Sequence, residues 1–314
     1  MEKIAVIGAG LMGHGIAQVF AVNGHEVAIH DPFPEVLARV PERVCANLRS
    51  LGLDESSVER ISLHGTLKAA VERADIVFEA APENLALKQD IFARLSTSTP
   101  PSCILASNTS VIPIREIAAK SEDPGRILGT HWWNPPYLIP LVEVIQAPGT
   151  ESVYIERCID LLQRAGKVAV HVKRDVPGFV GNRLQHALWR EAISIVAAGI
   201  CDAETVDLVV KNSFGMRLPV LGPLENADLV GLDLTLAIHN VILRHLEASP
   251  EPSPLLARYT GEQRLGMKTG KGFYEWTPES AQHVRERLTR YLRDAIKMGE
   301  EFSGRAFENK TQSP

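Results

Sequence analysis

A short apolar strand followed by three spaced glycines constrains the fold of this chain more than any other feature. Lys3–Ile7 predicts a buried strand, the motif GAGLMGHG follows at once, and Ile16–Val22 has the pattern of a helix. The first glycine permits a tight turn, the second lets the backbone approach a pyrophosphate, and the third lets the helix pack against the strand. The helix N-terminus then faces the phosphate charge. This order predicts a dinucleotide-binding unit, whose candidate contacts are Gly8, Gly10, Leu11, Met12 and Gly13.

The second predicted strand ends in an acid that bears on the choice of cofactor. Asp31 directly follows the strand predicted at Glu26–His30. A carboxylate at this position accepts hydrogen bonds from ribose hydroxyls and repels a 2′-phosphate. Asp31 therefore predicts NAD rather than NADP. The alternative is a glycine-rich turn followed by an aspartate that caps a helix.

Strands and helices alternate through the next part of the chain. Strands are predicted at Ile61–His64, Asp75–Ala80 and Cys103–Ala106, and helices at Phe33–Leu51, Glu55–Arg60, Thr66–Val71 and Leu85–Leu95. This alternation predicts an α/β fold with a doubly wound parallel sheet of the Rossmann type. The loops Ala80–Asn84 and Ser107–Ser110 follow strands, so we expect them to face the same crevice as the glycines. Three candidates to border the nicotinamide ribose, each of which could instead be a cap or a surface charge, are Glu83, Lys88 and Asn108.

The stretch Cys103–Ile145 carries polar side chains on two further strands. Ile127–Gly129 is apolar and leads to His131, and the apolar run Pro140–Ile145 contains Glu143. A histidine at a strand end with a carboxylate on the next strand predicts an oriented general base. Alternatively, the histidine only caps its strand and the glutamate is a solvated charge. The other polar groups of this stretch are Ser110 and Asn134.

The second half of the chain predicts helices throughout. The sequence DVPG at residues 175–178 is turn chemistry and marks a domain boundary. Helices are predicted at Phe179–Gly199, Ala203–Phe214 and Gly231–Leu246, and from Thr277 to about Glu301. We expect an NAD-binding domain at 1–175, an all-helical substrate and dimerisation domain at 176–301, and a loose tail at 302–314. Asn182, in the first turn of the first helix, either faces the crevice or is an ordinary helix-start residue.

Charge and cysteine content exclude several kinds of partner. A formal net charge of -5 gives no cationic surface for nucleic acid or anionic lipid. No apolar run reaches membrane-spanning length, and the chain starts in a strand without a charged-then-apolar leader. The four cysteines show neither a CxxC pair nor metal-ligand spacing. We therefore expect a soluble cytoplasmic protein with reduced thiols and no metal site.

Ordered motifs cover residues 3 to 276. They are GAGLMGHG, APEN, SNTS, GTHWWNPPYLIPLVEV, DVPGFVGNRL, GPLENADLVGLD and GMKTGKGFYEW. In these motifs the chain resembles the L-3-hydroxyacyl-CoA dehydrogenase family. The resemblance implies a Rossmann-type domain and a helical C-terminal domain that forms a homodimer. The implied catalytic residues are His131, Glu143, Ser110 and Asn182, and the implied NAD contacts are Asp31, Glu83, Lys88, Ser110, Asn134 and Lys268.

The resemblance also implies a reaction, namely NAD-dependent oxidation of a secondary hydroxyl. His131 would take the hydroxyl proton while the hydride passes to the nicotinamide, and Glu143 would fix the imidazole tautomer. Ser110 and Asn182 would bind the reacting oxygen. An apolar, partly aromatic wall near the reacting carbon, or packing at the domain junction, is expected of Trp132, Trp133, Tyr137 and Leu138. Candidate partners for a substrate anion are Arg183, Lys211 and Arg217.

Two departures from the acyl-CoA enzymes concern the substrate. The segment between Asp31 and Thr66 is shorter than their lysine-rich helical hairpin and contains no lysine. The motif HWWNPPYLIPLVEV is more similar to lambda-crystallin (L-gulonate 3-dehydrogenase) and to a pyridine-carboxylate dehydrogenase, and carnitine dehydrogenases are near relatives. We therefore expect a small 3-hydroxy acid or related alcohol as the substrate. The alternatives are a true 3-hydroxyacyl-CoA dehydrogenase, a β-hydroxyacid dehydrogenase with a catalytic lysine, and a non-enzymatic NAD-binding protein.

Overall fold

The computed structural model describes the backbone of residues 1–306 and the side chains of residues 1–296. The chain divides into two compact units. The first comprises Met1–Asn182 and the chain from Leu288 onward, and the second comprises Arg183–Arg287. The sequence predicted limits at 175 and 301, so the helical domain expected at 176–301 contains the whole of the second unit.

An eight-stranded sheet forms the centre of the first unit. Its strands are β1 (Ile4–Ile7), β2 (Val27–His30), β3 (Ile61–His64), β4 (Ile76–Glu79), β5 (Ile104–Ser107), β6 (Ile127–Trp132), β7 (Leu141–Ile145) and β8 (Val168–Val172). Their order is β3-β2-β1-β4-β5-β6-β7-β8. β1 to β6 are parallel, so their carboxyl ends share one edge of the sheet. The order reverses between β1 and β4, which is where a doubly wound sheet opens a crevice for a ligand.

Helices cover both faces of this sheet. Those of the first unit are α1 (Leu11–Val22), α2 (Pro34–Leu37), α3 (Val40–Leu51), α4 (Leu67–Val71), α5 (Leu85–Ser98), α6 (Ile114–Ile117) and α7 (Ser152–Arg164). In β1, Ile4 and Val6 pack in one buried cluster with α1, whereas Ala5 and Ile7 pack in a second cluster on the other face. Strands buried on both faces read as continuous apolar runs, which is why the sequence located them. The predicted fold class is confirmed.

The last two strands run opposite to the other six. β7 pairs antiparallel with β6, and β8 pairs parallel with β7. The predicted parallel sheet therefore carries one antiparallel pairing at this edge. The cause is the length of the connection at residues 133–140, since a parallel crossover needs about a dozen residues or more. The antiparallel register sets His131 directly opposite Glu143.

The second unit is helical, as predicted. Its helices are α8 (Gly181–Ala197), which begins in the first unit, α9 (Ala203–Lys211), α10 (Pro223–Val230), α11 (Leu232–Ile242), α12 (Pro254–Gly261) and the start of α13 (Pro278–Ala306). Gly199 adopts φ +68° after α8, and Asp202 caps α9 by accepting a hydrogen bond from Thr205 N at 2.8 Å. α10 and α12 were not predicted, although each begins with a proline at its first position, which is a helix-start signal.

Two further sequence expectations concern membrane spans and the tail. Within residues 1–306, no single helix is long and apolar enough to cross a membrane, and only the bent pair Pro223–Val230 and Leu232–His245 meets that test jointly. The helical backbone of α13 runs to Ala306, past the end predicted near Glu301. The rest of the tail predicted at 302–314 lies outside the described residues.

Candidate active site

The glycine loop between β1 and α1 has the geometry that a dinucleotide requires. Gly8 has φ +99°, and a Cβ there would lie 2.7 Å from the Ala80 carbonyl oxygen. A Cβ on Gly13 would fall 1.7 Å from Gly8 O, so only glycine lets α1 pack this closely. A Cβ on Gly10 would meet no atom within 4 Å, so the space beside it is open. No side chain caps the start of α1. The uncapped N–H groups of this turn, which also holds Leu11 and Met12, fit the charge of a pyrophosphate.

Asp31 lies beside the glycine loop, where the sequence predicts a ribose-binding carboxylate. Its Oδ2 accepts a hydrogen bond from Ala9 N at 2.8 Å, and its Oδ1 accepts one from Phe33 N at 3.0 Å. Asp31 is not the N-cap of α2, which is Phe33, although it binds the N–H of that residue, and its contact with the ribose stays a prediction. Arg43, which sequence reasoning missed, donates to Ala9 O at 3.5 Å and brings a positive charge to the loop.

Glu83 binds the loop that carries Ser110. Its Oε1 accepts hydrogen bonds from Thr109 Oγ1 at 2.6 Å and from the N–H groups of Ser110 at 2.9 Å and Val111 at 3.1 Å. Burial alone would raise the pKa of Glu83, but these bonds and the nearby Lys88 charge hold it below its ordinary value. The structure thus brings Glu83 and Ser110 together, while the ribose contact stays a prediction.

Lys88 is not a surface charge, so that alternative is wrong. Its side chain has no exposed area, and its Nζ lies 2.7 Å from Glu79 Oε1. The same nitrogen lies 3.3 Å from Ala81 O and 3.5 Å from Glu83 Oε2. Lys88 therefore lies beneath the loop that follows β4, and a direct contact with the nicotinamide ribose stays a prediction.

His131 and Glu143 form a buried pair at the end of the sheet. The two side chains expose 4% and 1% of their surface, and His131 Nδ1 lies 2.7 Å from Glu143 Oε2. An ionised carboxylate only accepts hydrogen bonds, so the neutral imidazole carries its proton on Nδ1 and leaves the Nε2 lone pair free. Both alternatives, a strand cap and a solvated charge, are wrong.

The second oxygen of Glu143 is held by the start of α8. Oε1 accepts hydrogen bonds from Val180 N at 2.9 Å and from Gly181 N at 3.1 Å. Burial alone would raise the pKa of Glu143, but the bond from His131 and these two N–H groups lower it below the ordinary value. The carboxylate is therefore charged at neutral pH, as the partner of a catalytic imidazole must be.

A strained turn aims these two N–H groups. Phe179 has φ +50°, a left-handed conformation that side chains rarely adopt, and Gly178 before it has φ +74°. Such a residue costs roughly 1–3 kcal/mol and persists only where its surroundings fix it. Phe179 is 1% exposed, and its ring centroid lies 5.7 Å from that of His131. This turn places the N–H groups of Val180 and Gly181 within hydrogen-bond distance of Glu143.

A hydrogen bond joins the other two predicted catalytic residues to each other. Asn182 Nδ2 donates to Ser110 O at 2.9 Å. Asn108 Oδ1 accepts from Trp132 N, next to His131, at 3.0 Å. The loop after β5 is thereby tied both to the start of α8 and to the end of β6. The four predicted catalytic residues lie in one cluster of the first unit, and their individual roles stay predictions.

Of the aromatic residues expected near the reacting carbon, Trp133 lies beside His131, with ring centroids 5.1 Å apart. Trp132 instead packs in the core, where its ring contacts Phe20 and Phe78. Successive residues of a strand point to opposite faces, so His131 and Trp133 share one side and Trp132 takes the other. The prediction of a substrate wall is wrong for Trp132.

Tyr137 and Leu138 also lie away from the predicted substrate wall. They line a separate cavity of about 160 Å³ together with Lys167. Lys167 Nζ donates to Pro136 O at 2.5 Å and to Ile139 O at 3.1 Å, and burial lowers the pKa of Lys167 to about 8. Lys167 therefore binds the connection between β6 and β7 through two of its carbonyl groups.

Other predicted contacts are not joined to the cluster. Asn134 follows β6, is exposed, and makes no side-chain hydrogen bond with residues 1–296. Lys268 is exposed in the second unit, between α12 and α13. Among the candidate anion partners, Lys211 already pairs with Asp207 on its own helix at 3.4 Å. The cofactor contacts of Asn134 and Lys268 stay predictions.

Sequence reasoning missed Glu79, the last residue of β4. Its side chain has no exposed area. Besides the ion pair with Lys88, it accepts hydrogen bonds from Ala81 N at 2.7 Å and from Ser107 Oγ at 2.6 Å. The available signal was an acid inside the apolar run Asp75–Ala80. A single acid, however, belongs to no spaced motif from which its partners could be predicted.

Comparison with known proteins agrees with this geometry. Residues 3–176 match the domain described as "3-hydroxyacyl-CoA dehydrogenase, NAD binding domain". Residues 178–276 match the domain described as "3-hydroxyacyl-CoA dehydrogenase, C-terminal domain". Each expected half of the chain therefore has its counterpart in the same family, and in the same order.

Three similar proteins are named for different substrates. The 5-formyl-3-hydroxy-2-methylpyridine 4-carboxylate 5-dehydrogenase of Mesorhizobium japonicum is 34% identical over 298 residues, 93% of this chain and 96% of that protein. A solved structure of a dehydrogenase of that name, described as an NAD+ dependent dismutase, has a TM-score of 0.90 and 33% identity, covering 96% of this chain and 99% of that one. An L-carnitine dehydrogenase of Streptomyces coelicolor is 40% identical over 235 residues, 74% of each chain. A probable 3-hydroxybutyryl-CoA dehydrogenase of Bacillus subtilis is 40% identical over 290 residues, 90% of this chain and 99% of that protein. The chain therefore belongs to the 3-hydroxyacyl-CoA dehydrogenase family and carries its NAD-binding domain at residues 3–176.

Proposed function

We propose that this protein is an NAD-dependent dehydrogenase that interconverts the secondary hydroxyl of a small 3-hydroxy acid, or a related alcohol, with its ketone. The observation that carries this proposal is the 2.7 Å contact between His131 Nδ1 and Glu143 Oε2, buried in the domain that matches the NAD-binding family. A non-enzymatic NAD-binding protein has no need of a buried imidazole whose proton position is fixed by a carboxylate.

The roles of the side chains follow from their protonation. Bound NAD supplies the hydride acceptor. His131 accepts the hydroxyl proton at Nε2, and Glu143 stabilises the resulting imidazolium through Nδ1. Ser110 and Asn182 orient the reacting oxygen, and Trp133 shields the imidazole from water. Asp31 and the glycine loop hold the adenosine and pyrophosphate part of the cofactor.

A free hydroxy acid is favoured over an acyl-CoA by two observations. Residues 32–65, which form α2, α3 and β3 with their connections, contain no lysine to bind the CoA phosphates. The structural likeness extends over 96% of this chain for a dehydrogenase of a pyridine carboxylate. The 40% identity to a probable 3-hydroxybutyryl-CoA dehydrogenase favours the acyl-CoA substrate as the second candidate.

The decisive experiment compares free and CoA-linked substrates. NADH oxidation is measured with acetoacetate and acetoacetyl-CoA, and NAD reduction with a panel of hydroxy acids that includes aromatic ones. We expect kcat/KM to be higher for a free acid. A higher kcat/KM for acetoacetyl-CoA would instead support a 3-hydroxyacyl-CoA dehydrogenase. Tight binding of NADH without turnover of any substrate in the panel would contradict a dehydrogenase.

Cofactor choice gives a separate prediction. Replacing Asp31 by alanine removes the charge that repels a 2′-phosphate. The ratio of kcat/KM for NADP to kcat/KM for NAD should therefore rise about tenfold or more, and a tenfold change corresponds to ~1.4 kcal/mol. Because Asp31 also accepts from Ala9 N, the asparagine variant should show the change with less loss of overall affinity. Glu35→Gln is the control. A wild-type enzyme that already prefers NADP would refute this role of Asp31.

A homodimer through the second unit forms part of the proposal. Helices α8 to α12 contain no buried residue, and Leu224, Leu229 and Leu236 expose 82%, 71% and 63% of their surface. Exposed apolar area of this extent favours burial against a second copy of the chain. Sedimentation should give twice the chain mass for the wild type and for the control Val153→Glu on α7. Leu236→Glu should shift the mass toward the monomer, and a monomeric wild type would contradict the dimer.

The cysteines bear on location. Cys45, Cys103, Cys158 and Cys201 are all free. Thiols that remain reduced suit a reducing compartment, and we propose that the enzyme works in the cytoplasm.

A further inference from the structure

A buried ion pair lies directly beneath the loops that follow β4 and β5. Glu79 and Lys88 expose 0% of their side chains and are joined at 2.7 Å. Glu79 is in register with Ile7 of β1 on one side and with Ser107 of β5 on the other. It therefore sits at the strand ends next to the point where the sheet order reverses.

The three hydrogen bonds of Glu79 reach both loops. Oε1 accepts from Ala81 N at 2.7 Å and from Lys88 Nζ, and Oε2 accepts from Ser107 Oγ at 2.6 Å. The carboxylate thus fixes the first residues of the loop after β4 and the last residue of β5 to one another.

Lys88 connects Glu79 to the loop after β4 and to Glu83. Its Nζ lies 3.3 Å from Ala81 O and 3.5 Å from Glu83 Oε2. Glu83 in turn binds the N–H groups of Ser110 and Val111. A continuous chain of polar contacts therefore runs from the carboxyl end of β4 to the loop that carries Ser110.

Stability alone does not account for such a pair. Taking two charges out of water costs several kcal/mol per ion, and replacing a buried pair by apolar groups of similar volume is often neutral or stabilising. Apolar side chains would pack with the surrounding core, but they would not bind Glu83 or Ala81 O. The feature that the ion pair supplies is the fixed position of the loops.

We propose that Glu79 is a positioning residue of the cofactor site, which through Lys88 holds Glu83 and the Ser110 loop at the nicotinamide-ribose end. This inference rests on the proposed NAD-dependent function. It assigns Glu79 no contact with the cofactor, so the residue acts through its hydrogen bonds, for the larger part through Lys88 and for a smaller part through Ser107. The adenosine end is held separately, by the glycine loop and Asp31.

A double-mutant cycle tests this role. Glu79→Gln, Lys88→Met and the double variant are titrated with NADH and with ADP, which lacks the nicotinamide ribose, and their Tm values are measured. We expect each single variant to raise the Kd for NADH about tenfold and to leave that for ADP within about twofold. Because Lys88 carries the larger part of the effect, the double variant should lose at most about threefold more affinity than Lys88→Met alone, well below the product of the two single losses. It should also regain the Tm that Glu79→Gln loses, since no unpaired buried charge remains.

The controls separate a positioning role from a merely structural one. Asp90→Asn breaks an exposed ion pair on the same helix and should change neither Kd. Ser107→Ala keeps both buried charges and should still raise the Kd for NADH about threefold. Additive losses, equal losses for NADH and ADP, an unchanged Kd in Ser107→Ala, or a double variant that does not fold would each overturn the proposal. Failure of the wild type to bind NADH would instead refute the proposed function.

Discussion

Replacing His131 by glutamine is expected to lower kcat by roughly 10²–10⁴-fold, the usual contribution of a general base. The glutamine side chain fills similar space between Trp133 and Phe179, but its amide does not take up a proton at neutral pH. The Kd for NADH should stay nearly unchanged, since His131 acts on the substrate hydroxyl. Stopped-flow measurement of hydride transfer and fluorescence titration of NADH separate the two quantities.

The matched control for this variant is His171→Gln. His171 lies on β8, is exposed, and its Nε2 contacts Gln146 Oε1 at 3.0 Å. We expect it to retain wild-type turnover. If His131→Gln kept more than about a tenth of the wild-type kcat, general-base catalysis by this residue would be untenable. A large increase in the Kd for NADH would assign the residue to binding instead.

The sequence predicted the fold well because most strands of the sheet are buried on both faces. Runs such as Ile4–Ile7 and residues 76–78 are apolar without interruption, and glycine or a polar residue follows each directly. The direction of β7 was not apparent, since strand patterns do not encode direction. The length of the connection at 133–140 was the available clue.

The candidate site was predicted in part, for reasons that differ from residue to residue. His131 and Glu143 could be paired because His131 follows one apolar run and Glu143 lies within the next apolar run along the chain. The alternation of side chains along a strand separates Trp132 from Trp133, so the sequence pattern does contain this difference. Glu79 and Arg43 could not have been found from spacing, because their partners come from other elements of the chain.

Replacing Glu143 by glutamine is expected to lower kcat by at least about 10²-fold, because the amide imposes the wrong tautomer on His131. The N–H groups of Val180 and Gly181 require an acceptor at the position of Oε1. The amide oxygen of the variant therefore occupies that position, and its NH₂ group faces His131 Nδ1. Nδ1 must then accept a hydrogen bond, which moves the imidazole proton to Nε2. A protonated Nε2 in the neutral ring cannot take the hydroxyl proton.

Two measurements distinguish this mechanism from a loss of folding. Nitrogen NMR of the labelled imidazole should report the proton on Nδ1 in the wild type and on Nε2 in Glu143→Gln. The pH–rate profile of the variant should also differ from that of the wild type, because Glu143 is expected to act through the base. Glu151→Gln, at the start of α7, is the control and should match the wild type in both. An unaltered tautomer together with an unaltered pH–rate profile would show that Glu143 does not orient the base. The low pKa of Glu143, set by His131 and the two N–H groups, would then belong to the fold rather than to catalysis.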